Sequence, residues 1–152
     1  MKSARKPVVA GLAAAAALVL AGCGGVSAQV QQPPATLTPI AGSRAQQVEL
    51  TPQAAQRLGI TVQAVRVVPA ADAGRAGAHT MIPYPAVVYD TDGSTWTYVQ
   101  TAPQTFVRHR IAVADIEGAA AFLIQGPAAG ALVVTRGAPE LLGAEYDISG
   151  EE

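Results

Sequence analysis

The sequence predicts a mainly β domain, a small antiparallel β-roll or barrel with one or two short helices, preceded by a signal peptide and a flexible tether. Three observations predict it. Short apolar runs alternate with a period of two between Val48 and Thr135, which is strand periodicity. Gly, Pro and Asp turn residues punctuate those runs at the regular spacing of six or seven short strands. Most of the aromatic residues fall within the clearest alternation, from Ile82 to Ile116, and no heptad run or internal repeat is present. A chain of 152 residues has room for one domain and a targeting segment.

The partition predicted is a signal peptide over 1–22, a tether over 23–46 and the folded domain over 47–152. Lys2, Arg5 and Lys6 form a positive region ahead of Val8–Leu20, an apolar stretch too short to span a membrane comfortably. Leu20-Ala21-Gly22-Cys23 resembles the bacterial lipobox, which implies a lipid on Cys23 and a mature chain that begins there. A plain signal peptide with a chance cysteine, or an N-terminal anchor helix, are the alternatives. Cys23 is the only cysteine, so no disulfide partner competes for it. Each buried methylene contributes about 0.8 kcal/mol, and two or more acyl chains make attachment stable where one does not.

Once the signal is removed, seven arginines stand against eleven acidic residues, a net charge of about minus four. That balance excludes nucleic acid and a basic headgroup-binding surface as partners.

Gly24–Gln46 is rich in Gly, Gln, Pro, Ser, Thr and Ala without periodicity, which predicts a flexible tether. Val48–Leu50 is a short strand. Thr51 and Pro52 then read as N-cap and first helical position of a helix over Gln53–Leu58, and Gly59 as its left-handed cap. Ile60–Val68 reads as one strand and Pro69–Ala78 as a linker. Met81–Tyr89 is a strand whose Pro83 and Pro85 place it at an edge or bulge. Asp90–Ser94 is a hairpin loop around Asp92-Gly93. Thr95–Gln100 follows, with Trp96 and Tyr98 on one face. Thr101–Gln104 is the second turn, and Phe106–Ile116 one strand with Phe106, Arg108 and Arg110 opposite Val107, His109, Ile111 and Val113. Ala119–Ile124 and Ala131–Thr135 are the last strands, the second buried on both faces. Gly137–Leu142 is a turn or short helix leading into an acidic tail.

Catalytic chemistry has little support in the residues. None of Ser27, Ser43, Ser94 and Ser149 sits on a Gly-x-Ser-x-Gly elbow. Asp90 and Asp92 begin like a calcium loop but lack its later glutamate, and a hairpin turn accounts for both. His79, Met81 and His109 are the candidate ligands of a soft metal; no two have zinc-site spacing, and copper(I) sites favour clustered methionines. No cofactor is expected. Trp96, Tyr98 and Phe106 read as core, with a docking patch as the alternative. Arg108 and Arg110 read as surface contacts, or as residues that solubilise their face.

Taken together, several motifs resemble the membrane-proximal part of the periplasmic adaptors, the membrane-fusion proteins of resistance-nodulation-division and related tripartite efflux pumps, closest to the heavy-metal branch. They are Leu50-Thr51-Pro52 with Leu58-Gly59-Ile60, Pro83 with Ala86-Val87-Val88, Asp92-Gly93, Thr95–Val99 and Phe106-Val107-Arg108. Gln125-Gly126-Pro127, Gly130, Val133-Val134-Thr135, Gly137 and Leu141-Leu142 extend them, and Glu145 beside Tyr146 is similar to the family's ending. These are packing and turn motifs, and Glu145 has no chemistry assigned to it here. A full adaptor inserts a β-barrel, a lipoyl-like domain and a helical hairpin where this chain has Pro69–Ala78, so the resemblance implies a free-standing membrane-proximal domain. It further implies a non-enzymatic, lipid-anchored accessory at the cell membrane, facing the periplasm or extracytoplasmic space. Its partners would be an inner-membrane efflux transporter or a full-length adaptor, met through Trp96, Arg108 and Arg110. The rival expectation is a lipoprotein that binds a metal or small ligand at His79, Met81 and His109 for delivery or sensing.

Overall fold

The first strand, β1 (Ala35–Pro39), pairs antiparallel with β2 (Gln46–Leu50), so that Ala35 faces Leu50 and Leu37 faces Val48. The computed structural model describes residues 33–69 and 79–147. The stretch expected to be a flexible tether therefore contains a strand. Only Ala35 and Leu37 of β1 turn inward, too few for alternation to show in a run of Thr and Pro. The signal peptide, Cys23, the Pro69–Ala78 linker beyond Pro69 and the acidic tail from 148 lie outside the described residues.

The Thr51 hydroxyl caps helix α1 (Pro52–Leu58) by accepting the Ala54 N–H at 3.2 Å, and Pro52 opens it. Gly59 ends it with φ of 63°, its N–H turned back to the carbonyls of Ala55 and Gln56. The segment predicted as one strand over Ile60–Val68 is two: β3 (Thr61–Ala64) and β4 (Arg66–Val68), separated by buried Val65 and belonging to different sheets. The next strand, β5 (His79–Pro83), ends in a 3-10 turn over Tyr84–Ala86 before β6 (Val88–Tyr89), so the two prolines mark a change of sheet.

The hairpin loop closes through Gly93 N–H to Asp90 O and Asp90 N–H to Ser94 O, with Gly93 at φ 79°. It leads into β7 (Thr95–Ala102), which pairs with β8 (Thr105–Arg110) so that Trp96 faces Arg110, Tyr98 faces Arg108 and Gln100 faces Phe106. The strand predicted over Phe106–Ile116 also breaks, at buried Ile111, whose N–H reaches Thr95 O at 3.0 Å. Beyond it come β9 (Ala112–Glu117) and β10 (Ala120–Gln125) in the second sheet, then β11 (Leu132–Arg136) back in the first. The chain ends, for the described residues, in α2 (Ala138–Asp147), longer than the short helix expected.

Among the described residues the result is a mainly β fold of two open antiparallel sheets with two α-helices. The larger sheet runs β1-β2-β8-β7-β11-β3 with β6 beside β7, and the smaller β4-β5-β10-β9. Neither closes into a barrel. The strands that bend at Val65 and Ile111 carry the chain around the corner between sheets.

Period-two alternation divides the larger sheet's side chains between two cores. Val48, Leu50, Val88, Tyr98, Phe106 and Val134 pack under α1 and α2 with Ala54, Ala138 and Leu141. Val133 and Val99 point the other way and meet Ile82, Ala121 and Leu123 of the smaller sheet. Val133 and Val134 are both fully buried, as the compact run of β11 predicts.

Candidate functional site

On the helix side of the larger sheet, the row that begins with Phe106 continues with Arg108, which brings a guanidinium under the last turn of α2. Arg108 is 5 % exposed and Glu145, from α2, is 2 % exposed. Arg108 Nη2 lies 3.3 Å from Glu145 Oε1, and Nη1 donates to Asp90 Oδ2 at 2.7 Å. Two more donors hold the Glu145 carboxylate: the Tyr98 hydroxyl at 2.6 Å and the Gln46 N–H at 3.1 Å. The Tyr146 hydroxyl donates to Asp90 Oδ1 at 2.7 Å and accepts from Arg108 Nη1 at 3.3 Å. One connected polar cluster thus joins β2, the hairpin loop, β7, β8 and α2.

Aromatic faces complete the cluster. The Arg108 guanidinium carbon lies 4.6 Å from the centre of the Trp96 ring and 5.6 Å from that of Tyr146. Arg110 lies 5.8 Å over the Trp96 ring from the exposed end of β8. Such contacts are worth about 0.5–2 kcal/mol, the larger figure for desolvated cations such as Arg108. The Trp96 ring is itself oriented: its Nε1–H donates to Ser94 Oγ at 2.7 Å, and the Ser94 hydroxyl donates to Asp92 Oδ1 at 2.5 Å. Arg108 Nε is buried with no hydrogen-bond partner among the described residues.

The cluster moves the acidity of its members. The Tyr146 hydroxyl, then the Thr91 N–H and the Arg108 charge, hold Asp90 below the usual aspartate range in spite of partial burial. Burial, then the hydrogen bond to Glu145, pushes the Tyr98 phenol far up, so it stays a neutral donor. Because Asp90 is depressed in the folded state, its contribution to stability is complete above the unfolded aspartate pKa near 3.9. It is lost as the pH falls through the lower folded value. Asp90→Asn removes that dependence. The stability gap between wild type and Asp90→Asn, measured by urea unfolding, will be widest above about pH 5 and will shrink towards pH 3.

Arg110 is exposed, as the sequence predicts, and Trp96 is half-buried at the rim of the cluster. Arg108 is not a surface contact. It shares its face with Phe106 and Tyr98, and that face is the core; the charge is tolerated there because two carboxylates and two rings surround it. Tyr98 and Phe106 are core residues. Glu145 and Asp90 were not singled out by the sequence as a pair, and the one signal for Glu145 is its spacing. It stands seven residues after Ala138 and four after Leu141, on the buried stripe of α2.

The rival ligand set does not converge. His79 and Met81 alternate with core-facing Ile82 on β5, so they lie on the opposite face of the smaller sheet from Ile82. His109 sits in the larger sheet, exposed, with Nδ1 2.8 Å from the Arg110 carbonyl. Among the described residues no three His, Cys, Asp or Glu side chains are grouped to hold a metal ion. Ser94 lies in the hairpin turn, bound to Trp96 and Asp92. No protein-family model matches the chain, and comparison with curated proteins finds no similar sequence.

Proposed function

We propose that this chain is a lipid-anchored, non-enzymatic accessory protein of the extracytoplasmic membrane surface. It docks on the inner-membrane transporter of an efflux pump, or on that pump's full-length adaptor, through a rim formed by Trp96, Arg110 and Tyr146. The observation that carries the reading is the Trp96–Arg110 pair. An aromatic ring fixed by Ser94 and Asp92 presents itself beside an exposed arginine, with Tyr146, 45 % exposed, on the same cluster. Trp, Tyr and Arg are the residue types that dominate binding energy at interfaces, most of all when their geometry is set before binding. The resemblance of the strand and turn motifs to the adaptors' membrane-proximal part supplies the class of partner, and the lipobox-like Leu20–Cys23 supplies the anchor.

The test is photocrosslinking in cells from positions 96 and 110, with position 124 as the reference. Ile124 is 75 % exposed on the smaller sheet, away from this rim. A transporter or adaptor subunit captured from 96 and 110 but not from 124 is the expected result. Equal capture from all three, or none from 96 and 110 in folded protein, would contradict the proposal.

A further inference from the structure

The Glu145 carboxylate rests on groups that belong to the sheet and not to its own helix. Tyr98 of β7 donates to one oxygen at 2.6 Å, the Gln46 N–H of β2 to the other at 3.1 Å, and Arg108 of β8 brings its charge to 3.3 Å from that second oxygen. Both side chains are nine-tenths or more buried. They are also held from behind: Arg108 by Asp90 and the Trp96 ring, Tyr98 by its place in the core. The cradle would therefore keep its shape when only the last turn of the helix lifts, with Ala138 and Leu141 still in the core. The buried stripe of α2, by contrast, is Ala138, Leu141 and then Glu145, so its last turn is anchored by a carboxylate and not by an apolar side chain.

We propose that Tyr98, the Gln46 N–H and Arg108 form a carboxylate receptor, which the chain fills from within using Glu145 and which accepts a free carboxylate once that group is gone. The C-terminal helix is then a tethered ligand. The same site would take an acidic side chain or a chain-terminal carboxylate from a partner whenever the last turn of α2 lifts. Carboxylate is the matching class because each oxygen meets a donor and the arginine supplies the opposite charge in a site largely closed to water. The inference is independent of docking at the Trp96 rim.

Chemical rescue tests it, using the full mature chain and sodium formate as the probe. Wild type, Glu145→Ala and Glu145→Gln are melted at neutral pH in formate and in chloride of equal ionic strength. Glu145→Ala will melt below wild type in chloride and regain about 4 °C or more, saturably, in formate, as expected for a ligand at several times its dissociation constant. Wild type and Glu145→Gln, whose side chains occupy the cradle, will not respond. If Glu145→Ala is unfolded in chloride, formate must restore a cooperative transition. No formate effect on Glu145→Ala, or an equal effect on all three proteins, would overturn the receptor.

Discussion

Replacing Arg108 with methionine will lower the stability of the domain by about 3–5 kcal/mol, the cost of removing one member of a buried charge cluster. The Glu145 and Asp90 carboxylates, with side chains 2 % and 11 % exposed, would both lose the guanidinium at contact distance. The aromatic rings of Trp96 and Tyr146 would lose the cation they flank, and methionine would replace only the aliphatic stem. Urea unfolding of wild type and Arg108→Met at neutral pH measures the effect. A surface arginine would change stability by less than about 0.5 kcal/mol, so a result of that size would show that Arg108 is not part of a buried cluster.

Leu141→Ala is expected to cost about 2–5 kcal/mol, since it deletes a fully buried leucine where the surroundings collapse only in part. Leu141 is the apolar centre of the α2 contact, packed in the cluster that includes Val134, Tyr98 and Phe106. Its loss leaves Ala138, the partly buried Leu142 and the polar anchor at Glu145 to hold the helix. The amides of α2 should therefore lose most of their hydrogen-exchange protection, while those of β7 and β8 lose only what the global destabilisation takes. Undiminished protection across 138–147 would mean that the helix is held by contacts other than this stripe.

Local signals in the sequence decided local structure well. Thr51, Pro52 and Gly59 bound α1 because side-chain capping and left-handed backbone are properties of single residues. The Asp92-Gly93 turn and the pairing of Trp96 and Tyr98 on one face follow from equally short-range chemistry. What alternation could not show is which sheet a strand belongs to. Val107, His109, Ile111 and Val113 keep one phase straight through the corner at Ile111, so β8 and β9 read as a single strand. The break at Val65 is hidden in the same way.

The charged cluster was hidden for a further reason. Arg108 reads as a surface residue from sequence because burial of an arginine depends on where its counter-charges are. Those come from positions 90 and 145, from a loop and from a helix that forms only on the folded sheet. Asp90 is a turn residue, as the sequence predicts, yet its Oδ2 is also the partner of Arg108. The sequence links Glu145 only to the family's ending, because Gly137–Leu142 reads as a turn or short helix leading into an acidic tail, whereas the helix runs on to Asp147.

The most direct measurement on this account is a double-mutant cycle between Arg108 and Glu145, using Arg108→Met and Glu145→Gln and their combination in urea unfolding. A buried pair at 3.3 Å within a shared network predicts a coupling of about 1–3 kcal/mol, the double mutant being less damaged than the sum of the singles. Additive effects, with coupling near zero, would contradict the claim that the C-terminal helix is fastened to the sheet through this cluster.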